Sequence, residues 1–216
     1  MKTKTYALAI LGTLMSLSAH AASTLYIGDS HSAGTFGEAL DSKLRTLPDM
    51  KVRSVGSCGS IIHWWYTGTP TPCGYRSVEQ NGKVTTALKA PTPLVKDLIK
   101  ETSPDLIIVE FGTNYVKGYP DETLIHDVKR LLGDIDQTHA KCLWVGPPDS
   151  RKYRTTLPPL ADRLEKLVSE RCQWVNSREY THYPETGGDG VHYETTALHP
   201  IARAWAEAVF KIVQSL

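Results

Sequence analysis

The chain has 216 residues, with 24 Lys and Arg against 23 Asp and Glu, and 41% of it is apolar. That length suits one domain with a full hydrophobic core, and the balanced charge argues against a nucleic-acid-binding surface. No long run of one charge sign, internal repeat or low-complexity segment stands out.

The first segment reads as an export signal. Lys2 and Lys4 form a basic start, residues 6–17 are mostly apolar, and Ala19-His20-Ala21 is a small-x-small cleavage site. Residues 1–21 are therefore expected to be a signal peptide, and 22–216 a single domain. The apolar stretch is short for a membrane span, although an anchor that stays attached is the alternative. No Cys follows the cleavage site to carry a lipid. The segment holds two Lys and no acid, so the remainder has 22 basic against 23 acidic residues, a formal charge of −1. An exported soluble protein, periplasmic or secreted, is expected.

Strand-like and helix-like runs alternate from residue 22 onward. Residues 24–29 form a first short apolar strand. In 32–47, Phe36, Leu40, Leu44 and Leu47 fall at helical spacing. Residues 51–57 make a second strand. A long irregular stretch follows, 58–90, rich in Gly, Pro and Thr, and loops of that length are often functional. A helix is expected over 91–102, with Leu94, Val95, Leu98 and Ile99 on its apolar face. The run LIIVEF within 105–112 fits a strand covered on both faces. Leu124, Ile125, Val128, Leu131, Leu132 and Ile135 mark the clearest helix, 121–138. A fourth strand over 141–148, a helix over 158–171, a fifth strand over 172–177, a polar loop over 178–190 and a last helix over 195–214 complete the chain. This alternation predicts a three-layer α/β/α sandwich with a five-stranded parallel sheet, flavodoxin-like in order.

Cys58, Cys73, Cys142 and Cys172 include no CxxC pair, so zinc is not expected. An even number in an oxidising compartment points to two disulfides, with three possible connectivities. KCLWVGPP and RCQWVNSR share the pattern basic-Cys-x-Trp-Val, as two strands in equivalent register would. Cys142–Cys172 would then staple neighbouring strands, and Cys58–Cys73 would close a loop. Free buried thiols are the alternative.

In such sheets ligands bind beyond the carboxyl ends of the strands. Gly28-Asp29-Ser30 ends the first strand, Val55-Gly56-Ser57 the second and Gly112-Thr113-Asn114 the third, while Asp189 and His192 follow the fifth. The residue types fit acyl transfer. A serine hydroxyl needs an adjacent base, histidine supplies one near neutral pH, and a carboxylate orients the imidazole. The Ser30 amide, the Gly56 amide and the Asn114 side chain are candidate donors to an oxyanion. Taken alone, Ser30 is better explained as an N-cap, and Asp189 could be a cap or form an Asx-turn. Among the other histidines, only His31, His63 and His182 rival His192, and none follows an Asp at triad-like spacing.

GDSHSAG at 28–34, Gly56, GTN at 112–114 and DGVH at 189–192 resemble the four sequence blocks of the SGNH hydrolases, a branch of the GDSL esterase/lipase superfamily. The resemblance covers nearly all of 22–216, with the blocks in order. It implies that Ser30 is the nucleophile, that Asp189 and His192 complete its triad, and that the Ser30 amide, Gly56 and Asn114 form the oxyanion hole. It implies the same α/β/α fold. Two positions depart from the commoner pattern: His31 stands where Leu often follows the nucleophile, and Tyr115 where Asp often follows GTN. Both bear on substrate preference.

His63-Trp64-Trp65-Tyr66, beside the expected Cys58–Cys73 bridge, has two readings. It is a loop packed down by its aromatics, or a substrate wall, since flat aromatic faces suit sugar rings. Tyr115 and Tyr119 would add to such a wall, and His31 would line the pocket. The expectation is a serine esterase without metal or cofactor that removes small acyl groups, O-acetyl above all, from cell-envelope or other polysaccharide. Its partner would be an acylated carbohydrate or other ester, with no nucleic acid and no stable membrane anchor. A lipase, lysophospholipase, thioesterase or glycan O-acetyltransferase would use the same groups. A non-catalytic glycan-binding module is a further alternative.

Overall fold

The structure, a computed structural model, describes residues 22–216; the expected signal peptide lies outside the described residues. In chain order the elements are β1 (Ser23–Gly28), α1 (Ser30–Ala33), α2 (Thr35–Leu44), β2 (Lys51–Ser57), α3 (Trp64–Thr67), β3 (Pro70–Thr71), β4 (Tyr75–Val78), β5 (Val84–Ala87) and β6 (Ala90–Pro91). There follow α4 (Val95–Thr102), β7 (Leu106–Glu110), a 3-10 turn at Thr113–Lys117, α5 (Asp121–Asp136), β8 (Lys141–Val145), α6 (Leu157–Val168), β9 (Gln173–Val175), a second 3-10 turn at Ser177–Glu179 and α7 (His199–Gln214).

The main sheet has seven strands, ordered β5-β4-β2-β1-β7-β8-β9. The five expected strands are present, mutually parallel, and in the flavodoxin-like order 2-1-3-4-5 when numbered among themselves. The expectation of five strands is corrected by β4 and β5, which add an antiparallel hairpin to the β2 edge. They lie inside 58–90, which is therefore not irregular. A two-stranded ribbon of β3 and β6 begins there and ends at Pro91, so α4 starts only at Val95 and not at residue 91.

Alternation along the strands divides the core in two. Leu25, Ile27, Ile107, Val109 and Trp144 face one way, onto Val95 and Leu98 of α4, Leu124, Val128, Leu131 and Ile135 of α5, and Leu164 and Val168 of α6. Tyr26, Ile108, Leu143 and Val145 face the other way, onto Phe36, Leu40 and Leu44 of α2 and Trp205, Val209 and Val213 of α7. Both faces are thus covered by helices, as a parallel sheet requires. Disulfides join Cys58 to Cys73 and Cys142 to Cys172. The second links β8 to the residue preceding β9, beside the Leu143–Gln173 pair. Among the described residues, no helix is long and apolar enough to cross a membrane.

The helix expected over 32–47 is two helices. Gly34, with an extended backbone, separates α1 from α2. Glu194 fixes that break from across the chain: its carboxylate accepts the Thr35 amide at 3.0 and 3.1 Å and the Thr35 hydroxyl at 2.8 Å. A side chain at Gly34 would collide with the same carboxylate.

Candidate active site

Ser30 opens α1, directly beyond the carboxyl end of β1. Asp29 caps the turn by accepting the His31 amide at 3.0 Å. Ser30 is 7% exposed and lines a cavity. His192 Nε2 lies 3.0 Å from Ser30 Oγ, and His192 Nδ1 lies 2.6 Å from Asp189 Oδ2. Asp189 Oδ1 also accepts the Val191 and His192 amides, at 2.8 and 2.7 Å. Partial burial pushes the Asp189 carboxyl up, but the bonds from the His192 ring and from these amides outweigh it and hold it at about 2. At neutral pH Asp189 is therefore an anion able to orient the imidazole.

Several residues outside the sequence motifs hold this loop. Tyr183 accepts the Gly190 amide at 3.0 Å and donates to the His192 carbonyl at 3.1 Å. Ser150 donates to the Gly190 carbonyl at 2.7 Å, and Tyr193 to the Asp149 carbonyl at 2.7 Å. No local pattern marks Tyr183 or Ser150, because their partners are backbone groups distant in sequence.

The three expected oxyanion donors fare differently. The Ser30 amide is the first of α1 and has no intrahelical acceptor. Asn114 is buried in the 3-10 turn after β7. Its amide donates to Asp29 Oδ2 at 3.1 Å and to the Ser60 carbonyl at 3.0 Å, and its oxygen accepts from Lys117 at 2.6 Å. Gly112, at φ 145°, makes the turn that delivers Asn114, and a side chain there would meet Leu164 and Pro147. Gly56 does not reach the site. It lies within β2, paired with Gly28 and Arg76 and buried. A Cβ on it would stand 2.2 Å from the Ala33 nitrogen, so its lack of a side chain admits the α1 backbone and not a substrate. Gly59, three residues on, is the half-buried glycine beyond the strand end. It has φ +78°, and its amide has no acceptor among the described residues. Gly59, unlike Gly56, lies past the end of β2.

A cavity of about 510 Å³ opens beside Ser30. Ala33, Gly34, the Cys58–Cys73 disulfide, Gly74, Glu194 and Thr195 border it along with Asp189 and His192. The expected aromatic wall is absent from this border. Trp65 is buried and donates to the Ser60 hydroxyl at 3.2 Å. Tyr115 is buried too, donating to Asp127 at 2.8 Å and accepting the Ile62 amide at 3.1 Å. It bridges the 3-10 turn, α5 and the chain after β2. Tyr66 donates to Asp134 at 2.8 Å beneath the Arg130 guanidinium. Trp64 packs on the core and His63 is half-exposed near Asp127. The segment is thus a packed loop. Tyr119 lies edge-on to Tyr115 at 5.8 Å. His31 is buried behind the site and does not line it: its ring stands 5.5 Å from that of His192 and 5.7 Å from that of Trp205. Burial, and then the charge of His192, lower it to about 3, so it is neutral. Among the described residues no group of three or more His, Cys, Asp or Glu is placed to hold a metal ion.

No family model matches the sequence. Among solved structures, the chain is similar to the psychrotrophic esterase EstA from Pseudoalteromonas sp. (TM-score 0.59, 11% identity, 90% of this chain and 99% of that one). It is similar to the acetyl xylan esterase AlAXEase (TM-score 0.56, 13% identity, 87% and 99%). A third is a member of the lipolytic protein G-D-S-L family from Veillonella parvula DSM 2008 (TM-score 0.56, 11% identity, 88% and 99%). The chain has the α/β/α fold of these lipolytic proteins and esterases across nearly all its described length.

Proposed function

We propose that the chain is an SGNH-type serine esterase that removes small acyl groups, O-acetyl above all, from polysaccharide outside the cytoplasm. The observation that carries this reading is the unbroken chain Ser30 Oγ, His192 and Asp189, with contacts of 3.0 and 2.6 Å, at the edge of a cavity. Ser30 Oγ attacks the ester carbonyl carbon while His192 Nε2 takes its proton. The Ser30 amide, the Gly59 amide and the Asn114 side chain are the donors for the oxyanion, Asn114 exchanging one of its present acceptors. The ester C–O bond then breaks and His192 returns the proton to the departing alcohol. Water attacks the acyl-enzyme with His192 again as base, releasing the acid and restoring Ser30.

The cavity bordered by Ala33, Gly34, Gly74 and a disulfide gives an acyl group a place beside Ser30. The similarity to an acetyl xylan esterase supports an acylated carbohydrate as substrate. The two disulfides and the signal-like start support export. The test is a panel of p-nitrophenyl esters from acetate to palmitate, followed by acetate release from purified wall polymers, each with Ser30→Ala as control. Acetate is expected to be the best substrate, and Ser30→Ala to abolish turnover. Preference for palmitate would favour a lipase, and acetyl transfer to an added glycan would favour a transferase.

A further inference from the structure

Behind the nucleophile lie two carboxyl groups that the proposed triad does not use. Asp29 precedes Ser30, and Glu110 ends β7, where it pairs with Gly28 of β1. Both are completely buried, and their carboxyl groups lie close enough to act on each other's protonation. The Asp29 amide also donates to the Glu110 carbonyl at 3.2 Å.

Donors reach the two carboxyls unequally. Asp29 Oδ1 accepts the His31 amide at 3.0 Å, with the Ser30 hydroxyl 3.5 Å away, and Oδ2 accepts Asn114 Nδ2 at 3.1 Å. Glu110 Oε2 accepts the Ser32 hydroxyl at 2.9 Å, which itself accepts the Tyr26 hydroxyl at 2.7 Å. Glu110 Oε1 is buried with no donor. Two ionised carboxylates in contact, shielded from water, repel strongly, and an unpaired buried carboxylate oxygen is costly. One proton on Glu110 Oε1 removes both penalties. The ionisable groups that act on the pair are Tyr26, which bonds Ser32, and His192 and Lys117. The Lys117 ammonium, which also bonds the Asn114 oxygen, favours Asp29 as the member that keeps the charge.

We propose that Glu110 is a positioning residue: it holds a proton and donates it to Asp29, so that the pair carries one charge and Asp29 stays ionised to orient the Asn114 amide and the Ser30 turn. Burial pushes Glu110 well above the ordinary carboxylate range, and the charge of Asp29 adds to this. Burial also raises Asp29, but only to about 6, because the His31 amide, the Glu110 contact and the charges of His192 and Lys117 oppose it. Glu110 is raised further than Asp29, so the proton of the pair rests on Glu110 and the charge on Asp29.

The kinetic part of this inference rests on the esterase reading; the spectroscopic part does not. In the infrared spectrum of the wild-type protein at pH 8, a carbonyl stretch of a protonated carboxylic acid is expected, and Glu110→Gln is expected to remove it. Absence of that band overturns the proposal whether or not the protein hydrolyses esters. In acetate-ester kinetics, Glu110→Met, which offers no donor, is expected to lower kcat by about tenfold to a hundredfold with KM little changed. Glu110→Gln can donate to Asp29 and accept from Ser32, so it is expected to restore most of that loss. Equal damage in both variants overturns the positioning role. If Glu110→Met does not fold, the wild-type band and the Glu110→Gln rate decide.

Discussion

A neutral histidine sealed behind His192 gives the protein a testable acid weakness. Free His31 would titrate near 6.5, but burial holds it at about 3 in the folded chain. Between those values the unfolded chain binds a proton that the folded chain refuses. Stability contributed by keeping His31 neutral is therefore full above about pH 6.5 and falls as pH drops, by about 1.4 kcal/mol per unit. Asp29 acts in the opposite sense, since its raised value makes the folded chain bind the extra proton between 3.8 and about 6. His31→Leu separates the two: denaturant melts from pH 4 to 7 are expected to show the variant gaining on wild type as pH falls. Parallel curves would contradict the burial argument.

At the scale of elements, the close approach of α1 to β2 depends on Gly56. A methyl group there would meet the Ala33 and Ser32 backbone, whereas at Gly59 the nearest atom is Cys73 Sγ at 3.5 Å. Gly56→Ala is expected to cost about 3 kcal/mol and Gly59→Ala about 1 kcal/mol, the latter from its left-handed backbone, both read from urea midpoints. The parallel strands were legible in the sequence because burial on both faces makes continuous apolar runs such as LIIVE. The β4–β5 hairpin was not, although Asn81-Gly82 marks its turn. Strand β5, VTTA, is exposed at the sheet edge and has no apolar face to leave a pattern. The Ser30, Asp189 and His192 positions were legible from chemistry and order along the chain. Composition left HWWY open between a packed loop and a sugar platform, and the structure draws Trp65 into the core and ties Tyr66 to α5. Glu110 was hidden within an apolar strand, where only its contact with Asp29 reveals a role.

On the scale of the whole molecule, the carboxyl ends of the strands gather the candidate site on one rim, and the two disulfides lie at opposite ends of the sheet. Cys58–Cys73 borders the cavity, while Cys142–Cys172 closes a separation of 30 residues at the far edge of the parallel strands. Replacing Cys142 and Cys172 together by Ala is expected to lower stability by about 3 kcal/mol through chain entropy, measured by thermal melting, with little effect on kcat. An unchanged melting temperature would show that the sheet alone holds β9 in place.

The account stands on Ser30 being an activated nucleophile. The most direct measurement is reaction with a fluorophosphonate ester followed by peptide mass spectrometry. A single adduct on the peptide containing Ser30 is expected, absent from Ser30→Ala and formed far more slowly in His192→Gln. An intact protein that stays unlabelled, or an adduct on another residue, would contradict it.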